Sequence, residues 1–336
     1  MAATPTPAQT TPANSGAPAK PGLLPTAPAA TAPAKPAGGA PGAPGTPAGG
    51  VDEIVSKAVR DISHIATLPE ITVKIIELVE DPTSTAQDLH KVIANDPALC
   101  SRVLKVVNSS FYGLPGQIGS INRAIVLLGL NAVKNIAIAA SLAKLFKGGA
   151  LTPTFSAKEL WTHSVAVGAA SRMIAQQMKL GLTDEAFLGG LLHDVGVMVE
   201  LQYDRNKLVE IIERCESAPE NQPADMLKIE DEVFGANHQD FGAALCEKWK
   251  FPRSFIGVTG FHHRPLHLPP ENRTLACIVA VADKLAAQQK AGFRLDHVSS
   301  DIPAEWLAEL RLTGEDAEAL KTKLPDAIAD VERTMS

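Results

Sequence analysis

The sequence predicts an all-α fold, on three observations. From Val51 onward apolar residues recur at helical spacing. No segment alternates apolar and polar residues long enough for a half-buried strand. Pro, Gly, Asn and Asp punctuate the chain at helix-length intervals. At 336 residues, 45% hydrophobic and 20% charged, the chain can form one large or two ordinary domains with a substantial core.

Residues 1–50 stand apart, being almost entirely Ala, Pro, Gly and Thr, with Leu23-Leu24 as the one apolar pair. Such a segment buries too little surface to offset chain entropy, and its prolines favour an extended, semi-stiff coil. It is read as a disordered tether. Residues 51–150 are then read as a first helical subdomain and 151–336 as a second, with the C-terminal helices included in it.

Along the first subdomain, Ile71, Ile75, Leu78 and Val79 form one stripe after Pro69, and the segment stops at Asp81-Pro82. Ser84 or Thr85 can cap a next helix carrying Leu89, Val92 and Ile93. That helix ends at Asn95-Asp96-Pro97, ahead of a third with Leu99, Val103, Leu104 and Val107. A loop containing Gly113, Pro115, Gly116 and Gly119 leads to Ile121–Leu128 and, past Gly129, to a long apolar helix reaching Phe146, with Lys147-Gly148-Gly149 as its exit. In the second subdomain helices are expected around 156–179, 183–202, 204–217, 237–250, 252–263 and 272–290, with a weaker pair after Pro303. In Gly189-Gly190 the absent side chains suit close helix packing better than a phosphate cradle, which needs a longer glycine loop.

Composition narrows the function classes. The four cysteines, Cys100, Cys215, Cys246 and Cys277, are widely spaced, which suggests neither a disulfide framework nor a zinc ribbon. No stretch reaches the roughly 18 apolar residues that span a bilayer, and the start lacks signal-peptide regions, so a cytoplasmic protein without membrane contact is expected. The net charge is −6; removing the two positive charges of Lys20 and Lys35 leaves −8 beyond residue 50, and aromatic residues make up only 4%. A nucleic-acid footprint needs a clustered basic surface and stacking platforms, so nucleic acid is not an expected partner. No G-x-S-x-G elbow, P-loop or dinucleotide-binding glycine motif is present.

Several unrelated features follow in a fixed order between residues 68 and 146: Leu68-Pro69, then Asp96-Pro97-Ala98-Leu99, then Arg102 through Asn108 to Ser109-Ser110-Phe111-Tyr112-Gly113, then Ile118 to Arg123, then Ala124 through Leu128 to Gly129. This stretch resembles the signature region of the HDOD family. Physically, Asn108 can satisfy backbone groups where a helix ends, and Gly113 permits a sharp turn. The loop from Phe111 to Ser120 has two readings, a partner or ligand surface, or a loop pinned to the core by Phe111 and Tyr112; packing is the favoured one. Nothing in 51–150 looks catalytic.

The chemistry-bearing residues lie in the second half: His163, the His193-Asp194 pair, His238, the His262-His263 pair and Asp283. Imidazoles mixed with carboxylates suit octahedral first-row cations such as iron or manganese, where four thiolates would suit structural zinc. Helices carrying His163, His193-Asp194 and Asp283 could project these ligands into a common centre. The competing reading of His193-Asp194 is an N-cap-like or buried hydrogen-bonded pair. His64, His90, His267 and His297 are read as ordinary satisfied or half-buried side chains.

The order H…HD…H…HH…D, over roughly 156–290, is similar to the metal-binding pattern of HD-superfamily phosphohydrolases, especially the HD-GYP phosphodiesterases. The resemblance implies that His163, His193, Asp194 and Asp283 hold one metal and His238, His262 and His263 a second, with Asp194 bridging. Two departures stand against hydrolysis of cyclic dinucleotides. Val197 takes the place of the Lys in HD-x-G-K, and Arg264-Pro265-Leu266-His267-Leu268-Pro269 has no GYP-like triplet. The leading expectation is therefore a bacterial-type regulatory signal-transduction module that acts through other signalling proteins or a nucleotide ligand, with one or two divalent ions of iron or manganese. The alternative is a divalent-metal-dependent phosphohydrolase or phosphodiesterase acting on a nucleotide.

Overall fold

Capping chemistry sets most of the helix starts. In the computed structural model, which describes residues 48–62, 69–81, 83–146, 149–219 and 222–335, Thr85 opens a helix with a reciprocal capping box to Asp88. Asp96 caps the next through the Leu99 amide, with Pro97 in the first helical position. Ser120 and Ser156 do the same for two later helices. The expected tether, the Leu68 of the signature region, His64, Pro82 and the Lys147-Gly148 exit lie outside the described residues, apart from the tether's last three, which fall in the first helix.

In chain order the helices are α1 (Ala48–Asp61), α2 (Glu70–Glu80), α3 (Ala86–Ala94), α4 (Pro97–Val107), α5 (Ile121–Leu128), α6 (Leu130–Leu142), α7 (Ala157–Met178), α8 (Thr183–Leu192), α9 (Val195–Tyr203) and α10 (Arg205–Glu216). They continue with α11 (Met226–Phe234), α12 (His238–Lys248), α13 (Arg253–Phe261), α14 (Thr274–Gln288), α15 (Ala304–Glu309) and α16 (Gly314–Met335). No strand occurs among the described residues, as the periodicity predicts. None of the described helices is long and apolar enough to cross a membrane.

Four elements differ from expectation, the first being α1, which begins within the expected tether and for which no helix was assigned. The helix expected over 183–202 breaks at His193-Asp194 into α8 and α9. The helix expected to reach Phe146 ends at Leu142 and is followed by turns. Residues 226–234, left without an element in the sequence reading, form α11.

α6 is buried on every side from Ala132 to Leu142 and packs against α2, α4 and α8. A helix apolar all round belongs at the centre of a fold. α7 and α8 pack against each other in the core. There Gly168 meets Gly190 so closely that a methyl on Gly190 would fall 2.6 Å from the Gly168 Cα. Gly189-Gly190 thus serves close helix packing, as read from the sequence. α14 and α16 pack on α7, and α9, α13 and α1 pack on α12.

The Gly-rich loop after α4 is pinned in the way its aromatics predict. Phe111 packs on Phe187 with ring centroids 5.4 Å apart, and the Arg172 guanidinium lies over both Phe111 and Tyr112. Asp184 pairs with Arg172 and accepts a hydrogen bond from the Tyr112 hydroxyl at 3.1 Å. Asn108 clasps the far side of the loop, its amide donating to the Leu104 and Ile118 carbonyls (2.7 and 2.8 Å) while its oxygen accepts from the Ile118 amide at 2.6 Å. Gly113 turns with φ +58°.

Candidate metal centre

All seven residues singled out in the second half come together in one cluster, in which His263 is half-buried and the other six are buried. The ligand atoms of Asp194, His238, His262 and His263 lie within 4.8 Å of one another, as do those of His163, His193 and Asp283. His163 comes from α7, His193-Asp194 from the end of α8 and Asp283 from α14, the three helices expected for them, while His238 comes from the first position of α12 and His262-His263 from the end of α13. The capping box of Asn237 with Asp240 fixes where α12 begins and so where His238 points.

Asp194 occupies the N-cap position of α9, yet its side chain makes no capping hydrogen bond. It turns inward instead. Its Oδ2 lies 3.1 Å from His193 Nε2 and 3.9 Å from His163 Nε2, and its Oδ1 lies 3.3 Å from His262 Nε2 and 3.8 Å from His238 Nε2. Each carboxylate oxygen therefore faces one half of the cluster. A methyl on Gly196 would fall 1.8 Å from the His238 carbonyl oxygen, so the glycine two residues after Asp194 is what allows α9 to approach α12.

The outer nitrogens of the imidazoles are already committed. His163 Nδ1 faces the Ala291 carbonyl (3.2 Å), His193 Nδ1 the Gly190 carbonyl (2.8 Å), His262 Nδ1 the Val258 and Thr259 carbonyls (3.2 Å each), and His238 Nδ1 the Glu230 carboxylate (2.8 Å). These partners only accept, so each Nδ1 carries a proton and donates it. That leaves Nε2 as the free lone pair of the neutral ring, directed inward. His238 Nε2 is 3.4 Å from His262 Nε2 and 3.1 Å from His263 Nε2. Nitrogens with converging lone pairs stand this close only with a proton or a cation between them.

The cluster's electrostatics carry the same tension. Burial pulls the His193 imidazole down, but the adjacent Asp194 charge outweighs it and lifts the pKa to about 9. Burial would raise Asp194, and the neighbouring His193 and His262 instead hold it well below the usual carboxylate range. Burial, with His262 and His238 close by, pushes His263 well below an ordinary imidazole.

The donor set fits a first-row divalent cation. It contains nitrogen and oxygen donors only, and bonds of about 2.1 Å would space neighbouring ligand atoms about 3 Å apart and opposite ones about 4.2 Å. The separations of 3.0–3.9 Å around Asp194 and Asp283 lie in that range. Three buried atoms at the centre, His193 Nε2 and both Asp194 oxygens, are left without a protein hydrogen-bond partner. A cation among them would satisfy all three.

Sequence reasoning missed four contributors. His297, read as an ordinary side chain, places Nε2 3.0 Å from Asp283 Oδ1. Asp296 places Oδ2 3.4 Å from His263 Nε2. Glu230 accepts from both the ring and the backbone amide of His238, and Glu200 is wholly buried nearby, where burial and the Glu230 charge push its pKa well above the carboxylate range. A second adjacent Asp-His pair at 296–297 was the available signal for the loop. Glu230 looks like a surface acid on an amphipathic helix and Glu200 like the acid that ends an apolar run, and no local pattern marks either. His90 and His267 stay outside the cluster, and Arg264 lies over the Phe261 ring.

The fold and the cluster can be set beside known proteins. A family model for the HDOD domain matches residues 65–265. An uncharacterized protein of Treponema pallidum (strain Nichols) is 27% identical over 224 residues, covering 66% of this chain and 42% of its own length, so this chain spans less than half of that relative. Among solved structures, an HDOD domain protein of unknown function from Geobacter sulfurreducens superposes with TM-score 0.69 at 21% identity, over 84% of this chain and 96% of that one. A protein of Marinobacter aquaeolei VT8 proposed to act in signal transduction gives 0.67 at 22%, over 85% and 66%. A protein of Shewanella amazonensis SB2B proposed to be a phosphohydrolase gives 0.65 at 21%, over 84% and 98%. Identities this low speak for the fold alone, but the family model covers more than half of the sequence, and the chain belongs to the HDOD family.

Proposed function

We propose that the protein is a cytoplasmic regulatory module of signal transduction that holds divalent iron or manganese in the His/Asp cluster and works by binding other signalling proteins rather than by turnover. The observation that carries this reading is the sealing of a ligand-rich centre. His163, His193, Asp194, His238 and His262 are all fully buried, and Asp283 is 1% exposed. A phosphodiester needs a channel to the metal and a cation to receive its charge. At the position where related hydrolases carry Lys, this chain has Val197, which is itself buried in the core.

His163, His193, Asp283 and Asp194 Oδ2 would hold one ion, and His238, His262, His263 and Asp194 Oδ1 a second. A bound divalent ion supplies positive charge and Lewis acidity. The chain's own residues fix the imidazole tautomers, shield the centre from water and tie α7, α12, α13 and α14 together, which makes metal loading a conformational input.

One observation favours the hydrolase as the second reading: the cluster divides into halves that share Asp194, the arrangement a two-metal hydrolase requires. The test is elemental analysis of protein purified anaerobically, beside His193→Ala and Asp194→Ala, with phosphodiesterase assays on cyclic dinucleotides. The expected result is about one to two equivalents of iron or manganese, lost in both variants, with turnover at background. A phosphodiesterase rate abolished by His193→Ala would establish the hydrolase instead.

A further inference from the structure

The segment between α14 and α15 adds a residue to the cluster that the H…HD…H…HH…D pattern does not contain. Asp296 is 4% exposed, and neither of its carboxylate oxygens has a hydrogen-bond partner. Its Oδ2 lies 3.4 Å from His263 Nε2, and the ligand atoms of His263, Asp283 and Asp296 all lie within 4.8 Å of one another. A buried carboxylate without hydrogen bonds is strongly disfavoured unless a positive charge faces it.

The neighbouring His297 gives Asp296 no hydrogen bond. Its Nδ1 faces the Lys284 ammonium at 3.0 Å, and an ammonium only donates, so the proton of His297 sits on Nε2 and is given to Asp283 Oδ1 at 3.0 Å. Its distance to Asp296 Oδ2 is 4.0 Å, too long for a hydrogen bond. His297 thus orients Asp283, and Asp296 is left aimed at the centre.

The backbone holds Asp296 there. Gly292, at φ +64°, runs so close to α7 that a methyl on it would fall 2.3 Å from the Glu159 carbonyl oxygen. The Phe293 amide donates to that same oxygen, and the Phe293 ring packs edge-on to Phe155. Beyond Asp296, Lys284 and Gln288 of α14 donate to the Ser299 and Ser300 carbonyls. The segment is fastened to the helices on both sides of Asp296.

We infer that Asp296 is an additional metal ligand on the His263 side of the cluster, filling the coordination position that a hydrolytic centre leaves open for water or substrate. The inference rests on the metal-binding reading above. It makes the site closed by design and predicts that a loaded centre refuses exogenous anions.

The test uses the full chain loaded with cobalt(II), whose visible spectrum reports coordination, titrated with inorganic phosphate. In wild type the spectrum is expected to stay unchanged at millimolar phosphate. Asp296→Ala should bind cobalt on the order of tenfold or more weakly, since losing even an outer partner of a ligand costs about 10–100-fold, and its spectrum should shift on adding phosphate. Asp296→Asn, which keeps the side-chain shape, guards against a folding defect and is expected to bind cobalt more weakly with unchanged circular dichroism. Cobalt affinity in Asp296→Ala equal to wild type, or a wild-type spectrum that shifts with phosphate, would overturn the assignment of Asp296 alone. A wild type that binds no cobalt would overturn the metal reading as a whole.

Discussion

The two halves of the chain bury polar groups in opposite ways. In the first, buried polar side chains are matched to nearby groups that end the demand: Thr72 donates to Ser141, Lys134 to the Leu78 carbonyl and Ser84, and Ser109 to the Val106 carbonyl, while the exposed Asn108 clasps Ile118. In the second, the buried polar side chains are matched chiefly to one another, and the centre is left with unpartnered atoms. Closed hydrogen bonds of the first kind fix a shape. An open, convergent set of the second kind is costly by itself and is maintained where a ligand completes it.

That contrast is easiest to break at glycines. Gly196→Ala would drive a methyl into the His238 carbonyl, forcing α9 away from α12 and Asp194 away from His238 and His262. The expected loss is about 4 kcal/mol or more in urea denaturation, together with the metal. Gly119→Ala, in the exposed loop of the first half where a new methyl meets nothing within 4 Å, should move stability by no more than about 1 kcal/mol. Comparable losses in the two variants would remove the case that the α9–α12 approach builds the centre.

A smaller effect separates shape from site. Asn108→Ala would strand the Ile118 amide and release the loop, at about 1–3 kcal/mol, while metal content stays at the wild-type value. If metal were lost along with the loop, the halves would be coupled more tightly than their separate hydrogen-bond systems imply.

How much of this was legible in the sequence depended on whether the physics was local. Thr85, one of the two caps read from the sequence, announces its helix because a cap acts over three or four residues. His193-Asp194 and His262-His263 announce the cluster because ligand types in a fixed order form a pattern. The break between α8 and α9 was not legible, since Leu188 to Val199 reads as one apolar run; what breaks it is Asp194 turning inward, which depends on partners up to 68 positions away. Asp296 and His297 were missed because they lie in a loop with no periodicity, where position follows from Gly292 meeting α7. Glu230 was missed because an acid on an amphipathic helix looks solvated unless the facing helix is known.

Glu230 gives the finest test of the comparison, because it is the one place where a closed hydrogen bond of the first kind supports the open set of the second. Its carboxylate accepts from His238 Nδ1 and from the His238 amide, which holds the ring with Nε2 directed at Asp194 and His262. Burial and the adjacent Glu230 charge push Glu200 well above the usual carboxylate range, while at Glu230 the His238 charge and hydrogen bonds work against the rise that burial imposes, and a carboxylate on Nδ1 makes His238 the stronger ligand. Glu230→Gln keeps the volume and one acceptor but removes the charge. The expected result is a metal affinity lower by about tenfold, measured by chelator competition, with the far-UV circular dichroism unchanged. An affinity equal to wild type would mean that His238 is held by packing alone, and that Glu230 belongs with Thr72 and Asn108 among the groups that only set the shape.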